Sequence, residues 1–116
     1  MSQLRLPDYV DHMLEAAEQA CSYVEGLEKA DFIDDKRTQQ AVVLNLLLIG
    51  EMSTKILQDH ADFADQHTSV PWRSMKGMRN RIAHSYYDIN LETVWETVDT
   101  ALPELSAALR HIKKSM

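Results

Sequence analysis

The sequence predicts an all-α protein, an up-and-down bundle of four helices, and three observations carry that prediction. Apolar residues recur at spacings of three and four along most of the 116 residues. Only three Gly and three Pro are present, too few for a fold crowded with tight turns. A hydrophobic fraction of 45% argues against disorder, and the length suits one domain, residues 1–116.

Leu6, Val10, Met13, Ala17, Cys21, Val24 and Leu27 fall on one stripe and define a first helix. Pro7 suits its first turn and Gly26 lies near its end. A polar break holding Asp31, Asp34 and Asp35 precedes a second helix over about 34–58, roughly 37 Å long. Its middle, Val42, Val43, Leu44, Leu46, Leu47, Leu48 and Ile49, leaves little polar face, so it must be covered from several directions, a second copy of the chain being one. His60 to Val70 shows no apolar stripe and reads as a loop. Pro71 opens a third helix to about residue 84. The fourth follows Asn90 as N-cap, with Glu92 in its first turn. It carries Leu91, Val94, Trp95, Val98, Leu102, Leu105, Leu109 and Ile112 on one stripe, and Pro103 predicts a kink or break within it.

The longest strictly apolar run, Leu46 to Gly50, is far short of the roughly 18 residues a bilayer span needs, so no membrane partner is expected. The charged N-terminus does not read as a signal peptide. Cys21 is the single cysteine, which fits a reducing, cytoplasmic location, and its place on an apolar stripe reads as a small buried hydrophobe.

The formal net charge of −6 at first speaks against a nucleic-acid partner. Its distribution says otherwise. Gln66 to Tyr87 contains no acid and holds Arg73, Lys76, Arg79 and Arg81, a +4 window, while the rest of the chain sets 8 basic against 18 acidic side chains. At 100° per residue, Trp72, Met75, Met78 and Ile82 share one face of this helix, and Arg73, Lys76, Asn80 and His84 the other. Gly77 on that second face suggests a close approach to the backbone.

The window ends in Arg79-Asn80-Arg81-Ile82-Ala83-His84-Ser85-Tyr86. An arginine, four residues, a histidine and a tyrosine two places on resemble the Rx4-6H signature of the HEPN superfamily, and RxxxxHxY narrows this to its HepT-like group. Asn45, Gly50-Glu51, Pro71-Trp72-Arg73, Val94-Trp95-Glu96-Thr97-Val98 and Leu102-Pro103-Glu104-Leu105 agree, so the resemblance covers the chain from about residue 34 onwards. Leu44 and Leu47 depart from it, standing where relatives are expected to carry polar residues.

The residues carry a chemistry of their own. Metal-free RNA cleavage needs a proton carrier at the 2′-OH or the leaving oxygen, a role histidine fills near neutral pH, and a fixed cation for the charge on phosphorus. His84 is thus the general acid or base, Arg79 the phosphate clamp, and Asn80 a group that orients the imidazole or bonds the phosphate. Arg73, Lys76 and Arg81 are the RNA-binding cations. Arg79 and His84 lie about 140° apart on an ideal helix, so the reading expects a distortion near Ala83 and a cleft shared by two copies. The resemblance implies more: a homodimeric ribonuclease toxin, Glu51 holding Arg79 or Asn80, and a cognate minimal nucleotidyltransferase antitoxin that transfers AMP to Tyr86 and so occupies the phosphate site. Tyr87 reads as packing. Two alternatives stand beside this. Asp59, His60, Asp62, Asp65 and His67 crowd one loop without an HExxH or paired ExxH pattern, so no metal and no other cofactor is expected. A non-catalytic HEPN-type module that docks a nucleotidyltransferase and presents its substrate would use the same basic face.

Overall fold

A computed structural model describes residues 5–116, and among them every regular element is helical. The elements are α1 (Leu6–Tyr23), α2 (Lys29–Ile33), α3 (Lys36–Asp59), α4 (Ala61–Gln66), α5 (Trp72–Ser85), α6 (Leu91–Glu96) and α7 (Leu102–Lys114). A 3-10 turn over Tyr86–Asp88 follows α5, and a π-helical turn over Thr97–Ala101 joins α6 to α7.

Local chemistry sets the helix ends. The Asp8 carboxylate accepts the Arg5 N–H, and Asp31 accepts that of Glu28. Asp35 caps α3 by accepting both the N–H and the hydroxyl of Thr38, and these bonds hold its carboxyl below the usual carboxylate range. Asn90 caps α6 through the Thr93 N–H, as its place in the sequence predicts. Gly26, at φ 77°, turns the chain after α1, a left-handed conformation that suits glycine.

Two predicted non-helical stretches are helical. The break after α1 contains α2 and the expected loop after α3 contains α4. Each is a short helix with one buried residue, Phe32 and Ala64 respectively, so neither shows a stripe in sequence. Phe32 is fully buried and packs at 5.5 Å against the Trp95 ring, tying α2 to α6.

α3 is the central helix. It packs against α1 on one side and α5 on another, while α7 packs against α1. Val10 and Met13 of α1, Val42, Ile49 and Ile56 of α3, and Leu102, Leu109 and Ile112 of α7 form the core. α5 makes no comparable seam with α6 or α7, so the bundle is closed on three sides and open on the fourth. The run-length argument against a membrane span also needs correction: measured over 18 residues, α3 is long and apolar enough to cross a bilayer, with a mean hydropathy of 1.3. Within the bundle it is instead covered by α1 and α5, and it buries Asn45, Ser53 and Thr54.

The expected break at Pro103 takes the form of the π-helical turn one step earlier. The Leu102 N–H bonds the Thr97 carbonyl, five residues back. By that spacing the Val98 carbonyl would pair with Pro103, which has no N–H. The Cys21 thiol reaches that carbonyl instead, at 3.9 Å, from across the α1–α7 seam. Burial, then the Glu18 and Glu25 carboxylates, push this thiol's pKa up and keep it a donor. Cys21 is therefore a partner for a stranded carbonyl as well as a packing residue.

Candidate functional site

The site is built where α5 crosses α3. The two helices run antiparallel, with Gly50 against Met75 and Arg79 and the Ser53 hydroxyl donating to the Trp72 carbonyl at 2.6 Å. A Cβ on Gly50 would lie 2.2 Å from the Arg79 Cβ and 2.7 Å from the Met75 carbonyl oxygen, distances no real packing tolerates. Gly50 is therefore the point of closest approach. Gly77 is not, since a Cβ there would meet only the Arg81 guanidinium, at 3.4 Å.

This crossing sets Arg79 beside Glu51. Arg79 Nε and Nη2 both donate to Glu51 Oε2, at 3.1 and 2.8 Å, and Nη1 donates to Asn80 Oδ1 at 2.7 Å. Three N–H groups of a half-buried guanidinium are thus committed within the chain, which fixes its plane and leaves two N–H groups for a ligand. Glu51 holds Arg79, as the resemblance implies. Asn80 acts on Arg79 through its carbonyl oxygen, and its amide N–H2 remains to donate.

His84 is exposed in the last turn of α5. Helical geometry continues through Ala83 to His84, so the distortion expected before the histidine is absent; the helix gives way only after it, at Ser85 (φ −139°, ψ 38°). The sequence could not settle this, since nothing in Ile82-Ala83 forbids or requires a break. As a consequence Arg79 faces α3, whereas Asn80, Arg81 and His84 face a groove of about 580 Å³ in the open seam between α5 and the start of α6. Its floor is Met78, Ile82, Ile89 and Val94, and Ser85, Asp88, Asn90 and Thr93 stand on its rim.

The three other cations separate. Arg81 lines the His84 groove, Lys76 is half-buried on α5, and Arg73 lies about 16 Å along the helix from His84, beside Leu57 and Val70. None of the three is ion-paired with a described carboxylate. Beyond the helix end Tyr86 and Tyr87 are 73% and 81% exposed, their rings edge-to-face at 5.8 Å. With Val43, Leu44 and Leu47 they line a second, apolar groove of about 390 Å³, in which Leu44 is exposed. Tyr87 therefore does not pack in the core. Among the described residues no three His, Cys, Asp or Glu side chains gather as metal ligands would. Sequence reasoning treated Asn90 as a cap only and passed over Asp88 and Thr93; the D-x-N run directly after the motif tyrosines was the available signal.

The family model described as ribonuclease HepT-like matches residues 13–112 of this chain. The chain belongs to that family. Among curated relatives, a protein named "Probable ribonuclease HepT" from Thermococcus cleftensis is 34% identical over 107 residues, covering 92% of this chain and 94% of its own. One named "Putative RNase" from Caldanaerobacter subterraneus subsp. tengcongensis is 32% identical over 104 residues and 90% of each chain. No solved structure matches the HepT-like chain at comparable significance. Membership accords with the all-α architecture, and the match takes in α1 from Met13 onward as well as the region that carries the motif.

Proposed function

We propose that this chain is a metal-independent endoribonuclease that works as a homodimer and acts as the toxin of a toxin–antitoxin pair. The observation that carries the reading is the placement of RxxxxHxY: an arginine anchored against α3 and an exposed histidine on a groove of the same helix, flanked by cations that pair with no described carboxylate. The relatives named as ribonucleases support it. In the reaction, the 2′-oxygen of RNA attacks phosphorus and displaces the 5′-oxygen of the next nucleotide, leaving a 2′,3′-cyclic phosphate and a 5′-hydroxyl. His84 takes the proton from the 2′-OH or delivers one to the leaving oxygen. Arg79 holds the non-bridging oxygens with its uncommitted N–H groups. Because Arg79 and His84 of one chain face different ways, the second copy supplies the missing member of each pair. Exposed Leu44, which shares a groove with Tyr86, offers apolar surface on which that copy would sit.

For regulation, a cognate nucleotidyltransferase transfers AMP from ATP to the Tyr86 hydroxyl, releasing pyrophosphate. The exposure of Tyr86 makes its hydroxyl reachable, and an added phosphate two residues from His84 would compete for the site that RNA phosphate uses. One observation favours the non-catalytic alternative: within a single chain the Arg79 guanidinium is already held by Glu51 and Asn80.

Cleavage of total RNA in EDTA separates the readings. Wild type should cut and leave cyclic-phosphate ends, while His84→Ala and Arg79→Ala lose about 100-fold or more in rate with native circular dichroism. Inert wild type, or an undiminished His84→Ala variant, would reject the nuclease.

A further inference from the structure

We infer that the groove beside His84 is a nucleobase pocket selective for guanine, so that the chain reads one base next to the phosphate it engages; this rests on the ribonuclease reading above. Three observations converge.

The first is the shape and lining of the groove. At about 580 Å³ it falls within the range of small-molecule sites, and its floor is apolar, with Ile82 and Val94 buried beneath half-buried Met78 and Ile89. A flat, weakly hydrated ring face suits such a floor. The groove exists because α5 and α6 leave their seam open, and no other element among the described residues fills it.

The second is the sign of the flanking charge. Arg81 and His84 stand on the α5 wall, and Arg81 has no ion-pair partner among the described residues. A base entering the groove thus carries its own phosphate toward cations.

The third decides the base. Asp88 lines the groove and is ion-paired with no described cation. A carboxylate accepts two parallel N–H bonds. Guanine alone among the four RNA bases offers two adjacent N–H donors, N1–H and N2–H, on its Watson–Crick edge. Adenine and cytosine set an acceptor beside their amino group, and uracil flanks its one N–H with carbonyls; each presents a lone pair to the carboxylate. The rest of the rim supplies donors for the acceptors of guanine, O6 and N7. Asn90 Oδ1 is committed to the Thr93 N–H, which leaves its amide N–H2 free, and the Thr93 hydroxyl stands beside it. Reading an unstacked base by this edge is how single-stranded RNA is recognised in general.

The test is binding, followed by amide NMR shifts on the full chain, with GMP, AMP, CMP and UMP and with a uridine pentamer carrying one central guanosine. GMP should bind about 10-fold tighter than the other three, moving amides from Ile89 to Val94, and the pentamer should move the same amides more tightly still. Asp88→Asn, on an exposed position, should keep the native spectrum and bring the four affinities within about twofold. Equal affinities in wild type, shifts elsewhere, no shifts with the pentamer, or a preference that survives Asp88→Asn would each overturn the pocket. Binding of GMP or GTP tighter than of the pentamer would overturn the RNA assignment in favour of a free nucleotide. Because none of these readouts requires strand cleavage, a protein that binds guanine yet cuts no RNA would refute the nuclease and leave the pocket standing.

Discussion

The two flanks of the central helix α3 treat charge in opposite ways. On the α1–α7 side, Arg110 pairs with Glu18 and Lys113 with Asp11, so two of the three Lys and Arg side chains of α7 are neutralised by acids of α1, and only Lys114 at its end meets no described carboxylate. On the α5 side, Arg73, Lys76 and Arg81 meet no described carboxylate, and Arg79 alone is paired. The first flank also packs α1 directly against α7, whereas α5 makes no comparable contact with α6 or α7. Charge that only has to be soluble and folded is balanced within the chain; charge left unbalanced beside an open groove is available to an anion.

The largest effect that tests this contrast concerns how the α5 flank is held. Gly50→Val should cost about 3 kcal/mol or more in urea unfolding, because its Cβ overlaps both the Arg79 Cβ and the Met75 carbonyl and the two helices must part. Gly77→Ala, on α5 itself, is the counterpart. With only the flexible end of Arg81 in ordinary contact range and a helical backbone, it should raise stability by about 0.5 to 1 kcal/mol. Equal effects of the two would mean that the crossing at Gly50 does not fix Arg79.

That asymmetry was only partly legible in the sequence. Periodicity finds α1, α3, α5 and the joined α6–α7 run because each buries a stripe longer than two turns. It misses α2 and α4, whose few residues bury one side chain apiece. It also places Gly77 on the face away from the core and then draws the wrong consequence, since a close approach depends on what lies opposite, which no single helix encodes. The motif residues Arg79, Asn80, His84 and Tyr86 were legible as a spacing. Their division between two faces follows from continuous helical geometry through His84. The groove itself could not be read, because it is made by a seam that fails to close between α5 and α6; the D-x-N run at Asp88 and Asn90 marks its rim only once that seam is known.

A smaller effect addresses the unpaired cations directly. Replacing Lys76 and Arg81 together by Gln should weaken binding of single-stranded RNA about 10-fold at moderate salt, and should lower the slope of log affinity against log salt by about 1 to 2. Adding Arg73→Gln should change little by comparison, since Arg73 lies three turns from His84. A full additive loss from Arg73 would extend the RNA track along the whole of α5.

The smallest effect belongs to the opposite flank, and it is the most exacting check on the contrast. Arg110 and Lys113 are as cationic as Arg81, they lie on an exposed helix surface, and by composition alone they would serve RNA equally well. What distinguishes them is that Glu18 and Asp11 already stand against them. Exposed pairs of this kind contribute about 0.5 kcal/mol or less each, since water and salt screen both partners. Arg110→Gln with Lys113→Gln should therefore leave unfolding within about 1 kcal/mol of wild type and RNA affinity unchanged. The informative variant is the reverse one, Asp11→Asn with Glu18→Gln, which frees both cations without touching α5. If pairing within the chain is what keeps the α7 flank silent, that variant should gain weak, strongly salt-dependent RNA binding while its stability barely moves. If it gains none, the geometry of the open seam, rather than the freedom of its charges, is what selects the α5 flank.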